Sequence, residues 1–242
     1  MIALFKKEIT TFFTSPIGYL VIGLFLIATG LFLWVFDGPY NIPNSGFASL
    51  TPFFELAPWI FTFLIPAITM RSISDEDKAG TLELLLTKPI TTWQLTLGKY
   101  SGIIALILIA LLPTLTYVWA IYDLGNPVGN LDIGATIGSY VGLIFLAGAF
   151  ASIGLYTSSL SNNQIIAFIS AVCICFFLYY GFEGIAEYNA LGVVDHYISK
   201  MGIKSHYDSI SRGVVDTRDL IYFISTILFF LFLTTLRLKK YR

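Results

Sequence analysis

The chain has 242 residues, of which 56% are hydrophobic and only 12% are charged. Its mean hydropathy of +0.79 is far above that of a water-soluble domain, so the composition predicts an integral membrane protein. The formal net charge is −1 and the basic residues are scattered, which argues against a nucleic-acid partner because phosphate binding needs a concentrated basic face.

Residues 1–15 predict an amphipathic helix that lies along the membrane surface. Apolar side chains recur at helical spacing while Lys6, Lys7 and Glu8 interrupt them, and Ser15-Pro16 ends the pattern. The alternative is an extension of the first span. The apolar stretch that follows is too long for a cleavable signal sequence and is followed by Asp37-Gly38-Pro39, so we expect it to remain as an anchor.

Six segments are long and apolar enough to cross a bilayer, which takes about 20 residues of helix. They are residues 17–36, 52–70, 100–122, 133–156, 165–182 and 220–236. The sequence therefore predicts an all-α membrane protein in which residues 1–242 form a single transmembrane domain.

The distribution of Lys and Arg predicts the orientation of these spans. The termini and the loops after spans two and four hold ten of the 14 basic residues. Basic residues near the ends of spans resist translocation, so this side should be cytoplasmic and both termini with it. The long loop 183–219 should then be extracytoplasmic, where we expect surface or re-entrant helices. A bacterial inner membrane is the expected location.

The predicted spans contain almost no ionisable residue. The exception is Glu55, near the outer end of span two, which is either an interfacial acid or a lining group of a translocation path. Proton coupling and an intramembrane enzyme are thus poorly supported. The chain also has no G-x-x-x-x-G-K-[ST] loop, so we expect it to bind no cofactor and to be no ATPase itself.

Span four carries two consecutive G-x-x-x-G steps at Gly134, Gly138 and Gly142. This spacing puts small residues on one helix face and predicts close helix packing, within the chain or with a second copy. In the extracytoplasmic loop, His196 and His206 lie ten residues apart without a defined third ligand, so no metal site is predicted.

Residues 71–99 predict a rigid helical bracket on the cytoplasmic side. Asp75, Glu76 and Asp77 suit a helix N-terminus, and Gly80-Thr81 followed by Glu83 resembles a helix cap. Pro89 should break this helix, and a second one should lead from Trp93 to Lys99. On pattern alone, an ordinary solvated loop with one interfacial helix remains the alternative.

The same loop resembles the cytoplasmic signature of permeases in the type-2 class of ATP-binding-cassette (ABC) exporters. The matching residues are Arg71, Asp75-Glu76, the string GTLELLL at 80–86, Lys88-Pro89-Ile90 and Leu97-Gly98-Lys99. The resemblance implies a separate ATPase subunit that binds ATP and Mg²⁺, and a second permease protomer, identical or different.

The resemblance also implies roles for individual residues of this loop. Asp75, Glu76, Gly80, Thr81 and Glu83 would dock the ATPase, while Arg71 and Lys99 would anchor the bracket at the lipid headgroups.

Four further stretches resemble the gliding-motility-associated permease subunit. They are SPIGYL at 15–20, LFLWVF at 31–36, LTPFF at 50–54 and SISRG at 209–213. This implies export or force transmission in gliding motility, with an extracytoplasmic partner that carries a membrane anchor. Two alternatives stay open: a permease of the type linked to nitrous-oxide-reductase maturation, and a membrane scaffold or channel component that does not transport.

Overall fold

A computed structural model of the chain describes residues 2–87, 89–187, 193–213 and 216–240. The described residues form helices and no strands. The fourteen α-helices are α1 (Ile2–Thr14), α2 (Pro16–Trp34), α3 (Ile42–Ser45), α4 (Thr51–Thr69), α5 (Ser74–Lys78), α6 (Thr81–Leu86), α7 (Thr92–Leu111), α8 (Leu115–Leu124), α9 (Ile133–Ser158), α10 (Gln164–Phe176), α11 (Phe182–Glu187), α12 (Val193–Ser199), α13 (Ile203–Ser211) and α14 (Thr217–Lys239).

Among the described residues, six helical segments are long and apolar enough to cross a membrane, which confirms the predicted class and the number of spans. They run over Pro16–Trp34, Thr51–Lys78, Thr92–Leu124, Ile133–Ser158, Gln164–Glu187 and Thr217–Lys239. Lys88 and Arg242, which contribute to the predicted charge asymmetry, lie outside the described residues.

Spans three and five are longer than hydropathy predicts. The third begins at Thr92 because Thr91 and Gln94 form a capping box, and it passes through a 3₁₀ turn at Leu112–Thr114, where Pro113 removes a backbone donor. The fifth continues through a π-helical turn at Phe177–Gly181 into α11. The loop predicted over 183–219 therefore begins inside a helix.

Helix α9 lies at the centre of the bundle, where it packs against α4, α7, α10, α13 and α14. Small residues allow these close approaches. A Cβ atom added to Gly154 would overlap Thr69 Oγ1, and one added to Gly148 would lie 2.9 Å from the Tyr100 hydroxyl. Dispersion contacts between closely packed helices, rather than a hydrophobic difference from lipid, stabilise such a bundle.

Helix α1 is separated from α2 by Ser15, which has an extended backbone. It packs across α7 at two glycines four residues apart. Added Cβ atoms would lie 2.8 Å from Leu4 Cβ at Gly98 and 2.6 Å from Glu8 Cβ at Gly102. The two helices touch so closely only because α7 has no side chain at these positions; the location of α1 at a membrane surface stays a prediction.

Helix α1 meets α5 and α7 at one end of the bundle, which we call the termini end. Helix α13 packs at the opposite end, which we call the distal end. Pro58 has no amide hydrogen, so the carbonyl of Phe54 one turn earlier in α4 lacks its helical donor. The Tyr207 hydroxyl of α13 donates to that carbonyl at 2.7 Å. Ser139 of α9 donates to the Ser211 carbonyl at 2.8 Å. Both contacts fasten α13 to the spans.

Candidate functional site at the termini end

Helices α5 and α6 form a compact pair, with α5 at the end of the second spanning segment and α6 between that segment and the third. Gly80 joins them with a φ of +67°, a left-handed conformation that glycine adopts without strain. The side chain of Ser158, at the end of α9, accepts hydrogen bonds from the amides of Ile73 and Ser74 at 3.0 and 3.1 Å. It thereby satisfies donors at the start of α5 that no local side chain caps.

Lys99 lies at the centre of a buried ionic cluster. Its Nζ lies 2.8 Å from Glu76 Oε2 of α5 and 3.2 Å from Glu8 Oε1 of α1, and it donates to the Ser72 carbonyl at 2.6 Å. Lys7 pairs with the other oxygen of Glu76 at 2.7 Å. We call Lys99, Glu8, Glu76 and Lys7 the Lys99 cluster; it joins α1, α5 and α7.

The Lys99 cluster is electrically balanced, and its centre is withdrawn from solvent, whereas Lys7 at its edge is 47% exposed. The Lys99 side chain is 1% exposed and that of Glu8 is 9% exposed. Burying a charge is costly unless it is paired and hydrogen-bonded, and here two lysines face two glutamates. Removing one partner would leave an uncompensated charge, so the cluster holds the three helices in one arrangement.

This burial corrects the expectation that Lys99 anchors the bracket at the lipid headgroups. The close approach of α1 at Gly98 and Gly102 places Glu8 over the face of α7 that carries Lys99. The lysine is therefore enclosed by protein. Arg71, in contrast, stays 44% exposed and donates to Gln164 Oε1 at 3.1 Å. Gln164 also donates to Asp75, which links α5 to the start of α10.

Helix α6 has one buried and one exposed face. Leu82 and Leu86 are buried, with exposures of 1% and 5%. The exposed face comprises Gly80, Thr81, Glu83 and Leu84, and Leu84 is 64% exposed. We call these four residues the docking face. A short helix that presents an acid and a leucine to solvent is a small amphipathic surface suited to contact with another protein.

The structure thus divides the seven predicted coupling residues into two groups. Arg71, Asp75, Glu76 and Lys99 take part in contacts within the chain, and Gly80, Thr81 and Glu83 belong to the docking face.

Sequence reasoning missed five residues of this site: Lys7, Glu8, Leu84, Ser158 and Gln164. One signal was available, because Gly98 and Gly102 form a G-x-x-x-G step that predicts a close helix neighbour of α7. It does not identify that neighbour as α1.

The other predicted residues lie away from the termini end. Gly138 and Gly142 pack against α13 of the same chain, where added Cβ atoms would lie 2.9 Å from Gly213 Cα and 3.2 Å from Ile210 Cγ2. Gly134, in contrast, is exposed. Of the two predicted G-x-x-x-G steps, the one from Gly138 to Gly142 therefore faces a neighbouring helix.

Glu55 and His206 both lie at the distal end. Glu55 lines a cavity there. The two ring nitrogens of His206 lie 2.7 Å from Asp219 Oδ1 and 2.9 Å from the Lys200 carbonyl. Within the described part of the chain, no three His, Cys, Asp or Glu side chains are grouped so as to hold a metal ion.

Residues 2–211 match the sequence model of a family described as "ABC-2 family transporter protein". Two curated relatives, from Escherichia coli strain K12 and Escherichia coli O157:H7, both carry the name "Probable multidrug ABC transporter permease YbhR". Each is 31% identical to this chain over 116 residues, which is 48% of the chain. In these matches the chain spans 30% of the length of the curated relatives.

Proposed function

This chain belongs to the ABC-2 transporter family, and we propose that it is a non-catalytic permease subunit driven by a separate ATPase subunit that contacts the docking face. The observation that carries the proposal is that an exposed face on α6 is connected, through Glu76 of α5, to the Lys99 cluster. A force applied to α6 would reach the spans through a hydrogen bond from α6 to α5 and then through the ion pair of Glu76 with the buried Lys99.

The proposed path of force starts at Thr81, whose hydroxyl donates to the Glu76 carbonyl of α5 at 3.2 Å. Glu76 contacts Lys99, which is part of span three. In parallel, Ser158 connects α5 to the end of span four and Gln164 connects it to the start of span five. Movement of the α5–α6 pair would therefore tilt three spans together.

We further propose that two permease protomers, identical or different, surround the transport path and that ATP and Mg²⁺ are bound by the ATPase subunits. The G-x-x-x-G face at Gly138 and Gly142 is occupied by α13 of the same chain, so a second protomer would contact another surface. Helix α2 offers one, since it exposes large apolar side chains on the outside of the bundle, among them Tyr19, Leu20, Leu24 and Ile27.

Within this class, we propose a role in gliding motility, as export or as force transmission to a membrane-anchored extracytoplasmic partner. This finer assignment is supported by the four stretches at 15–20, 31–36, 50–54 and 209–213. Deletion of the gene in its own host should abolish spreading on surfaces and leave growth in liquid unchanged. Normal spreading of the deletion strain would refute the motility role alone.

The ATPase contact is tested by Glu83→Lys, which reverses a charge on the docking face. Glu83 is exposed, so the spans should fold normally while co-purification of the ATPase falls about tenfold, as for a disrupted charged contact at an interface. The matched control is Asp123→Lys, an exposed acid at the end of α8 on the distal side, which should retain the ATPase. Wild-type recovery of the ATPase with Glu83→Lys would contradict the proposal.

A further inference from the structure

A cavity of about 880 Å³ lies at the distal end, on the opposite side of the bundle from the docking face. Its walls come from the start of α4, from the segment 177–187 and from α13. Helix α13 and its C-cap residue contribute side chains at one-turn spacing, Lys204, Asp208 and Arg212. The volume lies within the range of roughly 300–1,000 Å³ that is usual for small-molecule sites.

The charges that line this distal cavity do not balance. Four carboxylates face two basic groups, Lys204 and Arg212. Lys204 is already paired with Glu183. Arg212 donates through Nε to the backbone carbonyl of Asp208, at 3.1 Å, and not to its carboxylate. The cavity thus carries an excess of negative charge.

Two of the carboxylates lack protein donors. Among the described residues, no side chain or amide donates a hydrogen bond to the carboxylate of Glu55 or Asp208. Burial raises the pKa of Asp208 above its ordinary value; Lys204 and Arg212 oppose this rise, while Glu183 and Glu55 add to it. A half-buried acid among other acids is a site where an added positive charge is stabilised.

Aromatic rings supply the other walls. Trp59 and Tyr180 stack with their ring centroids 4.3 Å apart and their planes inclined at 29°. Tyr207 also lines the cavity, but its hydroxyl is occupied by the Phe54 carbonyl, so it offers mainly its ring. The faces of Trp and Tyr rings attract cations, and flat apolar groups stack on them.

We propose that the distal cavity binds a monovalent organic cation, with its charge near Glu55 and Asp208 and its apolar body against Trp59 and Tyr180. Divalent metal ions need several oxygen ligands that converge on one point. Although four carboxylates line the cavity, no three His, Cys, Asp or Glu side chains of the described residues are grouped in this way. A quaternary ammonium or phosphonium ion, in contrast, satisfies the carboxylates and the rings together. The inference goes beyond the proposed function, because binding requires neither the ATPase nor transport.

The test uses the purified full-length chain in lipid nanodiscs, with tetraphenylphosphonium as the probe and empty nanodiscs as the correction for lipid partitioning. Equilibrium dialysis should show saturable binding to wild type. Glu55→Gln combined with Asp208→Asn should weaken this binding on the order of tenfold, since each substitution removes a charge at constant size. Asp123→Asn, an acid at the same end but outside the cavity, should bind like wild type.

Two further measurements distinguish the contribution of the probe's charge from that of the aromatic wall. The neutral analogue triphenylphosphine oxide should fail to compete with the probe, and Trp59→Leu should weaken binding several-fold through loss of the ring face. If the double variant does not fold, Glu55→Gln alone carries the test, because Glu55 is exposed. No saturable binding, wild-type affinity in the carboxylate variants, equal competition by the neutral analogue, or displacement by an equal concentration of Ca²⁺ would each overturn the proposal.

Discussion

The two ends of the helix bundle differ in how their charged side chains are paired. At the termini end, the buried Lys99 meets Glu8 and Glu76, and the exposed Lys7 pairs with Glu76, so that no net charge is left over. At the distal end, the carboxylates of Glu55 and Asp208 line a cavity, and none of the described residues donates a hydrogen bond to them. Paired buried charges fix the arrangement of helices, whereas unpaired charges at a cavity create affinity for something outside the protein. This contrast underlies our two proposals, that the termini end transmits motion and that the distal end binds a ligand.

The comparison is tested most strongly by Lys99→Met, which should destabilise the protein by about 3–5 kcal/mol. The substitution keeps an unbranched side chain but leaves Glu8 buried without its cation, while Glu76 retains Lys7. Thermal unfolding in detergent measures the effect. The control Lys239→Met removes an exposed lysine and should change stability by no more than about 0.5 kcal/mol.

Adding Glu8→Gln to Lys99→Met should recover part of the loss, because the uncompensated carboxylate is then neutral. Equal stability of Lys99→Met and wild type would show that the Lys99 cluster does not hold α1, α5 and α7 together.

The packing that creates the cluster is tested by Gly102→Ala. The new methyl group would lie 2.6 Å from Glu8 Cβ, so α1 must move away from α7, at a cost of about 1–3 kcal/mol. Gly23→Ala is the matched control, since a Cβ at that helical glycine meets no atom within 4 Å. If both variants unfold at the same temperature, close contact between α1 and α7 is not what positions Glu8.

At the distal end, Tyr207→Phe should cost about 1–3 kcal/mol because it leaves the Phe54 carbonyl buried without a donor. Burial holds the pKa of Tyr207 well above its ordinary value, so the hydroxyl remains a donor throughout the physiological range. Pro58→Ala restores a helical amide to that carbonyl. In the Pro58→Ala background, Tyr207→Phe should therefore lower the free energy of unfolding much less. An unchanged loss would show that the missing amide of Pro58 is not its cause.

The smallest predicted effect is an increase in stability, not a loss, and it concerns Asp208. Because burial raises the pKa of Asp208, the folded protein holds this proton more tightly than the unfolded chain does. Stability due to this group therefore falls as the pH rises from the ordinary aspartate range through the raised value. Asp208→Asn should raise the unfolding temperature slightly at pH 7 and leave it unchanged near pH 3. A lower unfolding temperature at pH 7 would show that Asp208 stabilises the fold.

Hydropathy was sufficient to predict the all-helical class and six spans, because a membrane helix needs only a local apolar run. The ends of the spans were less accurate. The capping box at Thr91 and Gln94 extends the third span into the polar region, and the π-helical turn at Phe177–Gly181 carries the fifth past its predicted end. Both depend on backbone hydrogen bonds that an average of hydropathy does not report.

The candidate site was only partly predictable, because residues that contact one another in the structure lie far apart along the chain. Glu8 and Lys99 are 91 residues apart, and Phe54 and Tyr207 are 153 apart. The acids of α5 and the turn at Gly80 follow from local signals, whereas the burial of Lys99 depends on how α1 crosses α7. A lysine at the end of an apolar span otherwise suggests contact with headgroups.

The central claim is that an ATPase subunit contacts the docking face, and photo-crosslinking in native membranes tests it most directly. A photoreactive phenylalanine analogue at Leu84, which is exposed, should give a crosslinked product that contains the ATPase, and the same analogue at Asp123 should not. Absence of the ATPase from the Leu84 product, or labelling of a cysteine at Thr81 from outside the cell, would contradict the account.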